Sequence, residues 1–293
     1  MSSSQRILVT GGEGQLAQAL RWVLAQGTEG GAQWIFPTRA ELDITRPSSV
    51  AAALREHQPR WVVNTAAYTA VDRAEQEPER AMLVNATAVD YLARAVRRHN
   101  ADTGMDTRLL HLSTDYVFGS GGNRPFREDE VPHPQGQYAV SKRQGELRAL
   151  SSGIATVLRT SWLYSPFGHN FYLTVRERLR QGQELRVVYD QVGTPTSALS
   201  LARAICSLVA DARCTPGVLH YADLGIASWY DFACEIRTLT GGPEILPIRS
   251  ENLKQPAPRP AFSVLDTQRA RGELSLTARH WREALRECHQ ATG

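Results

Sequence analysis

One short stretch constrains the fold more than any other: Ile7-Leu8-Val9-Thr10-Gly11-Gly12-Glu13-Gly14-Gln15-Leu16-Ala17. A β-branched apolar run passes through a glycine-rich turn straight into a helical pattern. Gly11 and Gly14 permit a tight turn and close approach of backbone to a ligand. The helix that follows offers unpaired N–H groups at its start, the arrangement that receives a pyrophosphate. Alone such a turn is a weak signal, but here a βαβ series follows it. Strands are predicted at Arg6–Thr10, Gln33–Phe36, Trp61–Asn64, Leu109–Ser113 and Ala155–Thr160. Between them, helical patterns run over Gln15–Leu24, Pro47–His57, Pro78–Arg98 and Tyr138–Leu150. That alternation predicts an α/β chain with a Rossmann-type doubly wound parallel sheet.

After Ser161 the texture changes. Strands shorten, Pro256, Pro258 and Pro260 cluster, and helices at Leu199–Asp211, Trp229–Leu239 and Ala278–Cys288 are separated by loops. A smaller C-terminal α/β substrate lobe is expected there. The predicted division is residues 1–160 plus about 185–215 for the dinucleotide-binding part, with about 161–184 and 216–293 forming the lobe.

Composition excludes several function classes. With 42% hydrophobic and 22% charged residues the chain reads as an ordinary globular protein. No apolar run reaches the roughly 20 residues of a membrane span. The N-terminus lacks the apolar core of a secretion signal, so a cytoplasmic location is expected. A net charge of +3 gives no case for nucleic acid. Cys206, Cys214, Cys234 and Cys288 show no metal-like spacing, and no metal ligands are nominated. Only Lys142 and Lys254 among the 33 cationic residues are lysine, which makes each lysine informative.

Lys142 falls four residues after Tyr138 at the start of a predicted helix, so both side chains share one face. A phenol near pKa ~10 exchanges its proton poorly at neutral pH, and a neighbouring ammonium lowers that value. The strand Leu109–Ser113 ends in Ser113 and Thr114, hydroxyls at the strand end where ligands bind in open α/β sheets. Either could polarise a substrate carbonyl. Past the second strand, Thr38 and Arg39 stand where an NAD site usually carries an acid. A guanidinium suits a 2′-phosphate, which favours NADPH, while nearby Glu41 and Asp43 keep NADH open.

The chain resembles the dTDP-4-dehydrorhamnose reductases of the extended short-chain dehydrogenase/reductase family over essentially its whole length. The likeness rests on the glycine turn (with Ala17 at its third glycine position), on Val63–Asp72, Leu83–Thr87, Ser113–Phe118, Tyr138–Lys142 and Arg159–Tyr164. It continues through Asn170-Phe171, Asp190–Thr196, Ser228–Phe232, Arg259-Pro260 and Leu265–Thr267. The resemblance implies that Gly14, Gln15 and Leu16 lie along the pyrophosphate and that Asp43 and Ile44 flank the adenine. Ala66, Ala67 and Tyr68 would line the cofactor cleft. Hydride would pass to C4 of a 4-keto nucleotide sugar as Tyr138 gives the proton, with Lys142 holding the nicotinamide ribose and lowering the Tyr138 pKa. Thr114 would bond the carbonyl, with Asp115, Tyr116, Trp162 and Asn170 around the sugar. Arg259 is expected on the substrate diphosphate, by bidentate pairing. The bland alternatives are a core role for Trp162, a helix start at Asn170 and a simple turn at Asp190–Thr196. Some relatives hold Mg²⁺ at a subunit contact, but Glu13, Glu184 and Asp190 form no cluster that would nominate it here. The partners expected are the nucleotide sugar and a second copy of the chain in a homodimer. Rival readings are a reductase or epimerase of another nucleotide sugar, or a non-catalytic regulatory subunit of the same fold.

Overall fold

Strands covered on both faces are rich in apolar and β-branched residues, and the first five predicted strands are of this kind. In the computed structural model, which describes residues 5–27, 31–119, 121–211 and 213–292, these become β1 (Arg6–Thr10), β2 (Gln33–Ile35), β3 (Trp61–Asn64), β4 (Arg108–Thr114) and β5 (Ala155–Thr160). With Gly217–His220 they form one six-stranded sheet in the order β2-β1-β3-β4-β5-(217–220). Every pairing in it is parallel. Leu8 lies between Ile35 and Val62, so the chain leaves β1 to one side and returns on the other. The crevice at such a reversal, beyond the C-terminal strand ends, is where this class of sheet binds ligands.

Helices cover both faces. Helix α1 (Gln15–Ala25) packs with helix Ala198–Ala210 on one face, burying Leu16, Leu20, Leu201 and Ile205 with Val9 and Val63. On the other face α2 (Pro47–His57) packs with helix Ala88–Thr103, burying Leu54, Leu92 and Val96 against Leu8 and Val157. A third core belongs to the smaller C-terminal region. There Tyr164, Tyr172, Phe232, Ile236, Trp281 and Leu285 pack together. No helix among the described residues is long and apolar enough to cross a membrane.

Two local expectations are corrected. The predicted helix Pro78–Arg98 is helical throughout but carries a π turn at Leu83–Thr87, between Pro78–Met82 and Ala88–Thr103. Within that turn Asn85 is buried and makes three side-chain hydrogen bonds. Its amide accepts from Tyr68 N (2.8 Å) and donates to the Tyr68 carbonyl (3.0 Å) and to Ser141 Oγ (3.0 Å). Helix Gly136–Leu150 presses against this turn so closely that a Cβ on Gly145 would lie 2.0 Å from the Asn85 carbonyl oxygen. The second correction concerns Leu185–Asp211, read from the sequence as returning to the main sheet. Leu185–Val188 pairs instead with Ile245–Ile248 in the smaller region. Arg186 is the one exposed residue of this strand, which packs into the core of the smaller region. Only the following helix, Ala198–Ala210, joins the sheet's flanking layer, and the sixth strand is Gly217–His220.

Candidate active site

The strand ends and the smaller region enclose a cleft of about 990 Å³. Gly11, Gly14, Gln15, Leu16, Arg39, Asp43, Ile44, Ala66 and Ala67 line one part of it, and Thr114, Asp115, Tyr116, Tyr138, Lys142, Trp162, Asn170 and Arg259 line the rest. The structure therefore brings every sequence-predicted site residue to one cleft except Tyr68. The Tyr68 hydroxyl donates to Glu77 (3.0 Å) and its ring lies under the Arg80 guanidinium, outside the lining.

The residues at the first part fit a dinucleotide. Gly14 caps α1 with no side-chain hydrogen bond, which leaves the first N–H groups of that helix to a ligand. Gly11 sits at φ +66° against the Ala66 backbone, where a Cβ would be 3.0 Å away. Both nearby acids are already engaged: Glu41 accepts from Thr38 N (2.7 Å) and Asp43 from Thr45 Oγ1 (2.7 Å). Arg39 is exposed on the rim, where its charge helps to lower the Asp43 carboxyl. An exposed guanidinium beside acids already hydrogen-bonded suits a 2′-phosphate.

The second part holds the chemistry. Thr114 ends β4 and Tyr138 enters from helix Gly136–Leu150; both line the cleft, and the Thr114 hydroxyl acts to lower the pKa of the phenol. Thr114 Oγ1 also donates to Asp115 Oδ1 (3.1 Å). The adjacent pleat residue Ser113 is turned toward Glu146, so Thr114 is the hydroxyl beside the phenol. The Tyr116 ring meets that of Tyr138 edge-on, with centroids 5.9 Å apart. Lys142, one turn after Tyr138, is 3% exposed and donates to the Leu112 carbonyl (2.6 Å). Behind it Glu146 accepts Arg159 Nε (2.8 Å) and Arg143 (2.7 Å), and Arg159 meets His220 at 3.2 Å.

Burial sets the electrostatics. It pushes the Tyr138 phenol up to about 12, against the Thr114 hydrogen bond, and the Asp115 charge adds to the rise. It pulls Lys142 down to about 8, with Glu146 opposing. Asp115 rises to about 6 by burial, although Ser263, Ser161 and Thr114 hydrogen-bond to it. The phenol is thus an acid holding its proton at neutral pH. Lys142 was expected to depress the Tyr138 pKa; here its ammonium faces a carbonyl and burial dominates the phenol.

Three further expectations change. Asp115 faces Ser161 Oγ (3.0 Å) and Ser263 Oγ (2.5 Å), joining β4, β5 and the C-terminal segment from beneath the cleft. Asn170 is spent locally: it caps helix Phe171–Arg180 by accepting from Leu173 N (3.1 Å), and its amide donates to the Ser165 and Phe167 carbonyls. Arg259, expected on the diphosphate, gives both terminal nitrogens to Asp72 (2.7 and 2.8 Å) and one also to the Ala257 carbonyl. That pairing has the planar geometry a phosphate would need, so the carboxylate holds its place. Sequence reasoning missed Trp229, which lines the cleft in parallel contact with Trp162. Its one local signal is the capping pattern Ser228-x-x-Asp231 that starts a helix at Trp229. Among the described residues no group of three or more His, Cys, Asp or Glu side chains is placed to hold a metal ion.

A cleft that can seat a dinucleotide on one side and present a protonated phenol on the other is built to add hydrogen across a carbonyl. The class so defined is the NAD(P)H-dependent oxidoreductases of the short-chain type. Comparison with known proteins narrows it. The family model described as the RmlD substrate binding domain matches residues 5–293. A Streptomyces antibioticus protein named "probable dTDP-4,6-dihydroxy-2-methyloxan-3-one 4-ketoreductase" is 43% identical over 285 residues, covering 96% of this chain and 94% of that one. The dTDP-4-dehydrorhamnose reductase of Streptomyces griseus is 39% identical over 293 residues, covering 98% and 93%. The crystal structure of dTDP-4-dehydrorhamnose reductase from Bacillus anthracis in complex with NADP superposes with a TM-score of 0.90 at 30% identity, covering 99% and 100%. The chain belongs to the dTDP-4-dehydrorhamnose reductase (RmlD) family.

Proposed function

We propose that the chain reduces the C4 ketone of dTDP-4-dehydro-β-L-rhamnose to give dTDP-L-rhamnose, the last step in making that sugar donor for cell-surface polysaccharide, with NADPH as the preferred reductant. The observation that carries the reading is the buried, protonated Tyr138 phenol sharing with Thr114, at the end of β4, the cleft that Arg39 and the uncapped α1 serve. Reduction of a dTDP-sugar ketone is what the family relatives are named for.

The roles follow from the chain's own groups. The N–H groups at the start of α1 hold the pyrophosphate, and Arg39 holds the 2′-phosphate. When bound, the reduced nicotinamide supplies the hydride for C4. Tyr138 gives its proton to the C4 oxygen, completing the alcohol, while Thr114 hydrogen-bonds that oxygen and orients it. Lys142, buried and charged at neutral pH, binds the cofactor ribose. Trp162 walls the sugar subsite.

The test is loss of NADPH absorbance on adding the 4-keto sugar nucleotide, run beside NADH and beside Tyr138→Phe. Turnover that falls by about a hundredfold or more in the variant, with NADPH binding kept, supports the assignment. A variant with near-normal turnover sinks it. The 43% identity to a relative named for a different dTDP-sugar ketone favours one second reading, reduction of such a ketone. Competition between the two substrates decides it by their kcat/KM ratio.

A further inference from the structure

Trp162 follows the end of β5 by two residues and stands at the mouth of the cleft. Its backbone lies at φ +44°, in the left-handed region that a bulky side chain rarely takes. A residue keeps such a conformation only where its surroundings determine it more than once. On the backbone side, the Trp162 carbonyl accepts from Thr196 N (3.2 Å), and Ser161 before it donates to the buried Asp115 (3.0 Å).

The ring is held separately. The Trp162 and Trp229 indoles lie 3.7 Å apart by centroid and within 5° of parallel. Phe171 backs Trp229 at 4.6 Å. Gly193 presses on the Trp162 ring itself: a Cβ there would sit 2.5 Å from Cε2 and 2.7 Å from Nε1. Gly193 and Trp229 reach this place together because a two-residue ribbon pairs Ala227 with Gly193 and Ser228 with Val192. Ser228 then caps the helix that begins at Trp229, in reciprocal contact with Asp231. Trp162, Trp229 and Phe171 all face the cleft.

We propose that Trp229 and Gly193 are positioning residues for Trp162, fixing the plane of its indole as the flat apolar wall of the keto-sugar subsite. The inference rests on the reading of that cleft as a nucleotide-sugar site. A flat wall suits the apolar face of a deoxysugar ring, and it orients the C4 carbonyl only if the indole does not swing. Freed from the stack, a side chain on a strained backbone relaxes and the ring leaves its plane.

The experiment compares Gly193→Ala, Trp229→Leu and Trp229→Phe with wild type in steady-state kinetics, with calorimetric binding of dTDP-L-rhamnose and of NADPH. Gly193→Ala and Trp229→Leu raise KM for the keto sugar and Kd for dTDP-L-rhamnose by about tenfold or more, leaving NADPH affinity unchanged, since small misplacements near reacting groups cost factors of this order. Trp229→Phe keeps an aromatic surface under Trp162 and recovers most of the loss. In far-ultraviolet circular dichroism the stacked indoles give an exciton couplet in wild type that Trp229→Leu abolishes. A merely structural role would lower thermal stability and leave KM in place. A working wild type whose Gly193→Ala and Trp229→Leu variants fold and keep their KM overturns the inference alone. A wild type that neither reduces nor binds a dTDP-sugar overturns the functional reading and the inference with it.

Discussion

At the scale of single residues, burial decides which proton is available at which pH. The Lys142 ammonium, brought down to about 8 by burial against the opposing pull of Glu146, is charged at neutral pH and loses its proton just above it. The profile of kcat/KM should therefore fall as pH rises through about 8, well below the range of an exposed lysine. A basic limb that appears only near 10 would contradict this. Asp115 makes the opposite case, since its carboxyl titrates near 6 in the fold against 3.8 for an ordinary aspartate. Below about pH 4 both states hold the proton, and the folded state keeps its advantage. As pH rises through 6 the fold must carry a buried charge, at a cost on the order of 3 kcal/mol for a shift of this size. Denaturant unfolding of wild type and Asp115→Asn at pH 5 and pH 8 checks the sign: wild type should lose stability relative to the variant at the higher pH.

At the scale of elements, helix Gly136–Leu150 carries Tyr138 and Lys142, and its placement rests on one close approach. A methyl group at Gly145 would collide with the Asn85 carbonyl in the π turn, at 2.0 Å. Gly145→Ala should thus cost about 1–3 kcal/mol of stability, as overpacking of a tight contact does, and should lower kcat because the moved helix bears the phenol. A melting temperature equal to wild type would refute it. The sequence made this helix legible through Tyr138 and Lys142 at i and i+4. It made the first five strands legible through their short apolar and β-branched runs. The π turn was not legible, because Asn85 within it bonds to Tyr68 and Ser141 from elsewhere in the chain. Trp229 was hidden for the same reason: the partner that gives it meaning, Trp162, is 67 positions away. Asn170 and Arg259 were read as ligand groups because asparagine and arginine suit that work. Both line the cleft and also hold local carbonyls or Asp72, and no spacing rule announces such partners.

At the scale of the whole molecule, the two parts are tied by polar contacts across the cleft. Asp72 follows β3, and it holds Arg259 and the Ala257 N–H from the C-terminal segment. Asp115 at the end of β4 receives Ser263.

The crossing of residues 217–220 back to β5 has a consequence for how the molecule can be divided. The chain departs after Thr160, builds part of the smaller region, and returns to lay the last strand beside β5 before departing again. No single cut separates the two parts. A chain ended at Thr160 would leave β5 as a bare edge and strip Ala198–Ala210 from α1, exposing Leu16 and Leu20. Such a fragment should aggregate during purification, whatever its content of helix and strand; recovery of a soluble monomer would show otherwise. The smaller region is woven into the framework of the parallel sheet, so it can be reshaped residue by residue in place but not exchanged as a cassette.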